Sequence, residues 1–135
     1  LAIRRADGPE AALEEFMSMV VGRRWRTDME RHLAGSAEQI GRDAGTFFDI
    51  DLPALLAWRF SADDANRIEC PVLHIGGTAS GPWFAEVRTL VMAWMSDVED
   101  VRVEGADHSL ALTHADEVAA ALIPFLRRHA LPATG

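Results

Sequence analysis

A histidine on a loop after a short apolar run is the residue of this chain with the clearest chemical potential. His108 follows the run Val101-Arg102-Val103 and the turn residues Glu104-Gly105. A neutral imidazole can accept a proton from a hydroxyl group and return it to a leaving group near pH 7. Gly105 allows the chain to turn tightly, so that the ring can lie over the edge of a sheet. We therefore predict that His108 is a catalytic base.

The elements around His108 alternate between strand and helix. Short apolar runs predict strands over residues 71–75 and 101–103, and helical spacing of apolar residues predicts helices over 82–95 and 116–129. The apolar residues of the last helix are expected to turn inward, namely Val118, Leu122, Ile123, Phe125 and Leu126. This alternation indicates an α/β fold in which adjacent parallel strands are joined by a crossover helix. Such folds place reactive groups at the carboxyl ends of their strands, which is where His108 falls.

The first half of the chain has a different pattern. Apolar residues at helical spacing predict helices from Pro9 up to Gly22, over 24–33, over 37–48 and from Leu52 onward. Gly35-Ser36 is expected to cap the third of these helices. No strand pattern interrupts them. The chain is therefore predicted to divide near Ala65, into a helical segment over residues 1–65 and an α/β segment over residues 66–135.

Two stretches carry a resemblance to a known family. The first stretch is Cys70-Pro71-Val72-Leu73-His74-Ile75-Gly76-Gly77, and the second is Val101-Arg102-Val103-Glu104-Gly105-Ala106-Asp107-His108. Together they resemble the last two core strands of the α/β-hydrolase superfamily. In that family these strands deliver the acid and the His of a Ser-His-acid triad. The resemblance implies a helical cap over 1–65 and the C-terminal part of the hydrolase core over 66–135. It also implies ester or acyl hydrolysis of a small-molecule substrate without a cofactor.

The nucleophile of such a triad is missing from these residues. No Gly-x-Ser-x-Gly motif occurs, and in this family the order along the chain is Ser, acid, His. The chain also opens at Leu1 without an initiator Met. We therefore expect the N-terminal part of the same protein to be the partner that supplies the nucleophile. The alternative is a naturally short protein with a different fold.

The acid is the main departure from the family pattern. The loop after the first predicted strand has Ala79 and Ser80 where the family usually has Asp or Glu. The acid can come from after the sixth strand, upstream of Leu1, which is the interpretation we favour. A substitution can instead have removed it, or His108 can work with only a hydrogen bond from Ser80. Asp107 adjoins His108 but is expected to point away from it.

Aromatic residues of the first half are expected to pack helices together, and Trp25 and Trp58 are the candidates for lining a substrate pocket. His74 is expected to be a packed strand residue. His32, His114 and His129 are assigned no chemical role. Because no histidines show the paired spacing of a site such as His-Glu-x-x-His, we predict no metal.

Composition restricts the possible partners. The net charge of −8 argues against nucleic acid or an anionic membrane surface as a partner. Cys70 is the single cysteine, expected to be buried, so an internal disulfide is impossible. No stretch of the chain reads as a membrane span or a signal peptide, and a cytoplasmic location is therefore expected.

Two classes of function stay open, and the upstream nucleophile position separates them. A Ser there predicts an esterase-like hydrolase, and an Asp predicts a haloalkane dehalogenase or an epoxide hydrolase. A Gly or Ala predicts a non-catalytic member of the fold that binds a small molecule.

Overall fold

The computed structural model of the protein describes residues 8–130. These residues form two compact units that divide between Arg59 and Phe60. The first, called the helical unit, contains only helices in its described part, and the second, called the α/β unit, contains two strands. The predicted division near Ala65 falls just beyond this boundary, because the short helix Ala62–Ala65 belongs to the α/β unit.

The helical unit is built around a few small residues and one large aromatic ring. Its elements are α1 (Pro9–Val20), α2 (Trp25–His32), α3 (Ser36–Thr46), a π-helical turn (Phe47–Asp51) and α4 (Leu52–Ala57). Trp25 is fully buried, and Leu13, Met29 and Ala44 are buried with it. Pro9 suits the first turn of α1, where its missing N–H group costs nothing.

Two local features of the helical unit differ from the prediction. The break expected between the third and fourth helices is absent, because α3 continues into α4 through the π-helical turn, in which the Leu52 N–H group donates to the Phe47 carbonyl. Pro53 has no N–H group to donate, which breaks the α-helical bonding pattern at this point. Of the predicted Gly35-Ser36 cap, Gly35 occupies the N-cap position, but Ser36 is the first residue of α3 and the N-cap provides no side-chain hydrogen bond. Instead the Glu30 carboxylate accepts hydrogen bonds from the Gly35 and Ala37 N–H groups, both at 2.9 Å.

The α/β unit contains two parallel strands joined by a helix, as predicted. Its elements are α5 (Ala62–Ala65), β1 (Val72–Gly77), α6 (Pro82–Trp94), β2 (Val98–Val103), α7 (Leu110–Thr113) and α8 (Ala115–Arg128). The strands pair with Val72 opposite Val98 and Gly77 opposite Val103. The prediction of an α/β fold with adjacent parallel strands is therefore confirmed. β2 begins earlier than expected, and the short helix α7 was not predicted.

Helices α6 and α8 contact opposite faces of the two-stranded sheet. Successive strand residues point to opposite faces, and Glu99 and Asp100 are successive residues of β2. Asp100 accepts hydrogen bonds from Arg88 of α6, whereas Glu99 is bound by Arg128 of α8. The arrangement is a helix–sheet–helix sandwich, the usual cover for parallel strands.

The sheet is too narrow to cover the apolar faces of its helices. Leu122, Ile123 and Leu126 of α8 were expected to face inward, but their exposed fractions are 39%, 46% and 55%. Trp83 and Val87 of α6 are likewise exposed. Paired strands lie about 5 Å apart, whereas a helix with its side chains is about 10 Å wide. Two strands therefore cannot bury a whole helix face, and the inward prediction for these α8 residues was wrong.

Two expectations about the surface can also be compared with the structure. Cys70 is exposed, so the expected buried thiol is not observed. No helix within residues 8–130 combines the length and the apolar character required to cross a bilayer.

Candidate active site

The loops that follow β1 and β2 are hydrogen-bonded to each other at the carboxyl edge of the sheet. The Thr78 N–H group donates to the Val103 carbonyl at 3.0 Å, and the Ala79 N–H group donates to the Ala106 carbonyl at 2.8 Å. In the opposite direction, the Gly105 N–H group donates to Thr78 Oγ1 at 2.8 Å. The two loops therefore form one connected edge, and the residues on them are held relative to each other.

Two glycines make this edge possible. A Cβ atom built on Gly77 would lie 2.1 Å from the Ala106 carbonyl oxygen and 2.8 Å from that of Asp107. Only a residue without a side chain allows the two loops to approach so closely. Gly105 has a φ of +71°, the left-handed conformation that glycine adopts without strain. This confirms the tight turn predicted after β2.

His108 lies on this edge, just beyond β2. Its ring stacks on the Phe84 ring from the first turn of α6, with the ring centroids 3.9 Å apart and the planes inclined by 20°. Burial lowers the pKa of His108 below its ordinary value of 6.5, and the negative charge of Asp107 opposes this only in part. The imidazole is therefore neutral at pH 7, which is the form that can accept a proton.

No carboxylate within residues 8–130 is hydrogen-bonded to His108. Asp107 Oδ1 instead accepts a hydrogen bond from the Ser109 N–H group at 2.8 Å and a second one from the Ser109 hydroxyl. Asp107 is therefore hydrogen-bonded to Ser109, and no Asp107–His108 hydrogen bond occurs within residues 8–130. Ala79 and Ser80 lie in the loop after β1, but no Ser80–His108 hydrogen bond occurs in this part of the chain.

Sequence reasoning missed a charged cluster on the α6 face of the sheet. Asp100 lies opposite His74 in the strand register, and its Oδ1 atom is 2.9 Å from His74 Nδ1. The Arg88 guanidinium also binds this carboxylate, with Nε 3.0 Å from both oxygens. A Cβ atom on Gly76 would lie 2.9 Å from His74 Cε1, so this glycine leaves room for the ring.

The Asp100–Arg88 pair in this cluster is held ionised by its hydrogen bonds. The Arg88 guanidinium is the main cause that lowers the pKa of Asp100, and the His74 ring contributes in the same direction against the effect of burial. The Asp100 hydrogen bonds raise the pKa of Arg88 in turn. The cluster joins β1, β2 and α6, which makes it a structural tie. No sequence spacing indicated it, since the pairing depends on the strand register.

Replacing Asp100 with asparagine is expected to destabilise the α/β unit by about 1–3 kcal/mol at pH 7, because the amide lacks the negative charge and has one acceptor oxygen where the carboxylate has two. The pKa of Asp100 lies below its ordinary value of 3.8. The stabilisation is therefore fully present above about pH 5 and is lost as the pH falls through the folded-state pKa. Urea unfolding of the original protein and of Asp100→Asn, at several pH values between pH 7 and pH 2, measures the difference between their free energies of unfolding.

Glu99→Gln is the matched control for Asp100→Asn. Glu99 is the preceding residue of the same strand, and the side chains of Glu99 and its partner Arg128 are exposed to 44% and 51%. Exposed ion pairs contribute little to stability, so little change is expected. An Asp100→Asn protein that unfolds at the same urea concentration as Glu99→Gln would contradict the structural role of the cluster.

The two predicted pocket tryptophans have different environments. Trp25 has an exposed fraction of 0% and donates from Nε1 to Glu14 Oε2 at 3.2 Å, so it is a core residue and not a pocket residue in this structure. Trp58 has an exposed fraction of 62%. A cavity of about 470 Å³ lies elsewhere in the helical unit, and neither tryptophan lines it.

The remaining histidines of the α/β unit have local partners. His114 Nδ1 is 2.9 Å from Thr113 Oγ1, and His129 stacks near Phe125 and lies 3.5 Å from Glu99 Oε1. Residues 8–130 contain no cluster of three or more His, Cys, Asp or Glu side chains that is arranged to hold a metal ion.

No protein-family model, no curated protein and no solved structure matches this chain. The residues at the carboxyl edge of the sheet are therefore the basis on which a function can be proposed.

Proposed function

We propose that the protein is a hydrolase of the α/β-hydrolase superfamily that cleaves small esters or related acyl compounds through a Ser-His-acid triad. The observation that supports this most strongly is the position of His108. Its ring lies at the carboxyl end of β2, on a loop tied to the end of β1, and it stacks on Phe84. Open α/β sheets use this edge for their chemistry.

In this proposal His108 is the proton carrier. A ring nitrogen takes the proton from the hydroxyl of an upstream Ser as the oxygen attacks the acyl carbon, and then gives it to the departing alkoxide. A water molecule releases the acyl group by the same proton transfers in reverse order. The lowered pKa of His108 keeps the ring neutral and ready for the first step. The Phe84 stack restricts the orientation of the ring.

The N-terminal part of the same protein supplies the nucleophile and the rest of the sheet. Strand β1 contains no charged residue, whereas β2 contains Glu99, Asp100 and Arg102. Charged residues protect edge strands from pairing, so β1 is the edge suited to a further strand. Added strands would also cover the exposed apolar residues of α6 and α8. The catalytic acid is expected to come from this same N-terminal part, after its last strand.

Labelling with a fluorophosphonate tests the proposal directly. An activated Ser nucleophile attacks the phosphorus atom and retains the phosphonyl group, so one Ser of the full-length protein should be labelled. Peptide mapping should place that Ser upstream of residue 1, and His108→Ala should remove the labelling because the nucleophile loses its base. Labelling that is unchanged in His108→Ala, or that maps to a Ser within these 135 residues, would contradict the proposed roles.

One observation favours a second candidate, a non-catalytic member of the fold that binds a small molecule. No carboxylate within residues 8–130 orients His108, and Asp107 is engaged with Ser109. The residue at the upstream nucleophile position distinguishes the candidates. A Gly or Ala there supports the binding protein, a Ser supports the hydrolase, and an Asp supports dehalogenase or epoxide-hydrolase chemistry.

Residues 1–135 expressed alone are expected to be insoluble or to form a molten globule. The reason is the apolar surface on both helices of the sandwich, including Trp83 and Leu126. The measurement is binding of the dye ANS together with near-UV circular dichroism. Co-expression with the N-terminal part should restore cooperative melting. A monomeric, cooperatively melting 135-residue product would count against the need for a partner segment.

A further inference from the structure

The helical unit contains a cavity with the volume of a small-molecule site. It measures about 470 Å³ and is lined by residues of α1, α3 and the π-helical turn. Leu13 and Ala44 are buried at its base. The rings of Phe16 and Phe47 lie on its wall with centroids 4.8 Å apart. Ligand pockets typically have this size and this mainly apolar lining.

The π-helical turn contributes directly to this cavity. Phe47, the first residue of the turn, and Asp51, the last, both line the cavity. A regular α-helix would place residues four apart nearly above each other on one face, whereas a π-helical turn changes their relative direction. π-helical turns occur often at functional sites, and the segment is a second, independent feature of the same place.

The charged groups of the lining are all negative. Asp43 and Asp51 are exposed at its rim, and none of the lining residues within 8–130 is basic. Among residues 8–130, the side chain of Asp43 receives a hydrogen bond only from the neutral Gln39 amide, at 2.8 Å. Asp51 has no hydrogen-bond or ion-pair partner within the same residues. The nearby Arg42 guanidinium binds Gln39 Oε1 at 2.7 Å and Glu38 instead. The rim therefore presents negative charge that no cation of the described residues neutralises.

We infer that this cavity binds a small apolar molecule that carries one positive charge, of the phenylalkylammonium class. The apolar part fits against Phe16, Met17 and Ile40, and the ammonium group lies at the rim between Asp43 and Asp51. An ammonium group is also attracted by the faces of aromatic rings, which Phe16 and Phe47 supply. This site goes beyond the proposed function, because it uses none of the residues around His108.

Titration of the full-length protein with 2-phenylethylammonium tests this inference. A parallel titration with 2-phenylethanol, which has nearly the same shape but no charge, is the control for the contribution of the positive charge. Binding is followed by NMR of ¹³C-labelled methionine methyl groups. Met17 lines the cavity, whereas Met19 lies on the same helix, is exposed and does not line it. The Met17 signal should shift with the ammonium ion and the Met19 signal should not. Met17→Leu assigns the signal.

The double variant Asp43→Asn/Asp51→Asn tests the role of the charge. It keeps the shape of both side chains and removes both charges, so affinity for 2-phenylethylammonium should fall by roughly tenfold or more. Affinity for 2-phenylethanol should stay within about twofold of the original, since apolar contacts are unchanged. An unchanged methyl signal of the buried Met29 shows that the double variant is folded. If that signal changes, the single variant Asp51→Asn is used in place of the double variant.

Three results would overturn the inference. These are equal affinity of the original protein for the ammonium ion and the alcohol, an unshifted Met17 signal at saturating ammonium ion, and undiminished ammonium binding by the Asn variants. Because no readout is an activity, these results are separate from those that test the hydrolase proposal.

Discussion

Replacing His108 with alanine in the full-length protein is expected to lower ester turnover by roughly 10³-fold or more, as removal of a triad base does. The physical reason is that a Ser hydroxyl is a poor nucleophile until a base removes its proton. The structure presents a neutral imidazole on the edge of the sheet where such a base is needed. The measurement is kcat/KM on the best ester substrate of the protein.

Folding should change little in His108→Ala, because His108 is an exposed loop residue that is only partly desolvated, and the Phe84 ring is its one ring contact within residues 8–130. His114→Ala is the matched control, since His114 also lies on the segment after β2 but is bound to Thr113. Its turnover should stay within a few-fold of the original. If His108→Ala also keeps its ester turnover within a few-fold of the original protein, the result would support the non-catalytic binding protein instead.

Gly77→Ala is expected to destabilise the α/β unit by about 3 kcal/mol, the upper end of the range reached when an added group has no space in a packed structure. The new Cβ atom would lie 2.1 Å from the Ala106 oxygen and 2.6 Å from its carbonyl carbon. These are backbone atoms, so no side chain can move aside. The loops must separate, which breaks the hydrogen bond from Ala79 N–H to the Ala106 carbonyl. Urea unfolding of the full-length protein measures the loss.

Two other glycines provide controls for Gly77→Ala. Gly76→Ala adds a Cβ atom that meets only the His74 ring, so a smaller loss is expected at the adjacent position of the same strand. Gly41→Ala, inside α3, meets nothing within 4 Å. It should stabilise the helical unit by about 0.5–1 kcal/mol, because alanine suits a helix better than glycine. If Gly77→Ala were as mild as Gly76→Ala, the close contact of the two loops would be excluded.

Local patterns in the sequence predicted the order of the elements in the α/β unit. Val72 to Ile75 form a short apolar run before two glycines, and Pro82 then opens a helix with apolar residues at helical spacing. These signals are local, because each depends on how neighbouring residues share one face of an element. The parallel pairing followed from the connection, since a helix between two strands allows them to run in the same direction.

Other features depended on residues far apart in the chain. The Arg88–Asp100–His74 cluster requires a strand register that no spacing in the sequence specifies. The inward prediction was right for Phe125 but wrong for Leu122, Ile123 and Leu126, because periodicity shows that a helix has an apolar face but not how wide a sheet covers it. The π-helical turn was missed because Pro53 also reads as the start of a separate helix.

The sequence by itself predicted both strands and the longer helices of the α/β unit, the loop that carries His108, and that its neighbour Asp107 is not its hydrogen-bond partner. Each of these follows from interactions between residues a few positions apart. Only the tertiary structure decided that Phe84 supports the His108 ring, that Gly77 abuts Ala106, and that the apolar cavity of the helical unit has a negatively charged rim. Those contacts form when distant segments pack together, and packing in three dimensions selects them among many that the same local patterns would allow.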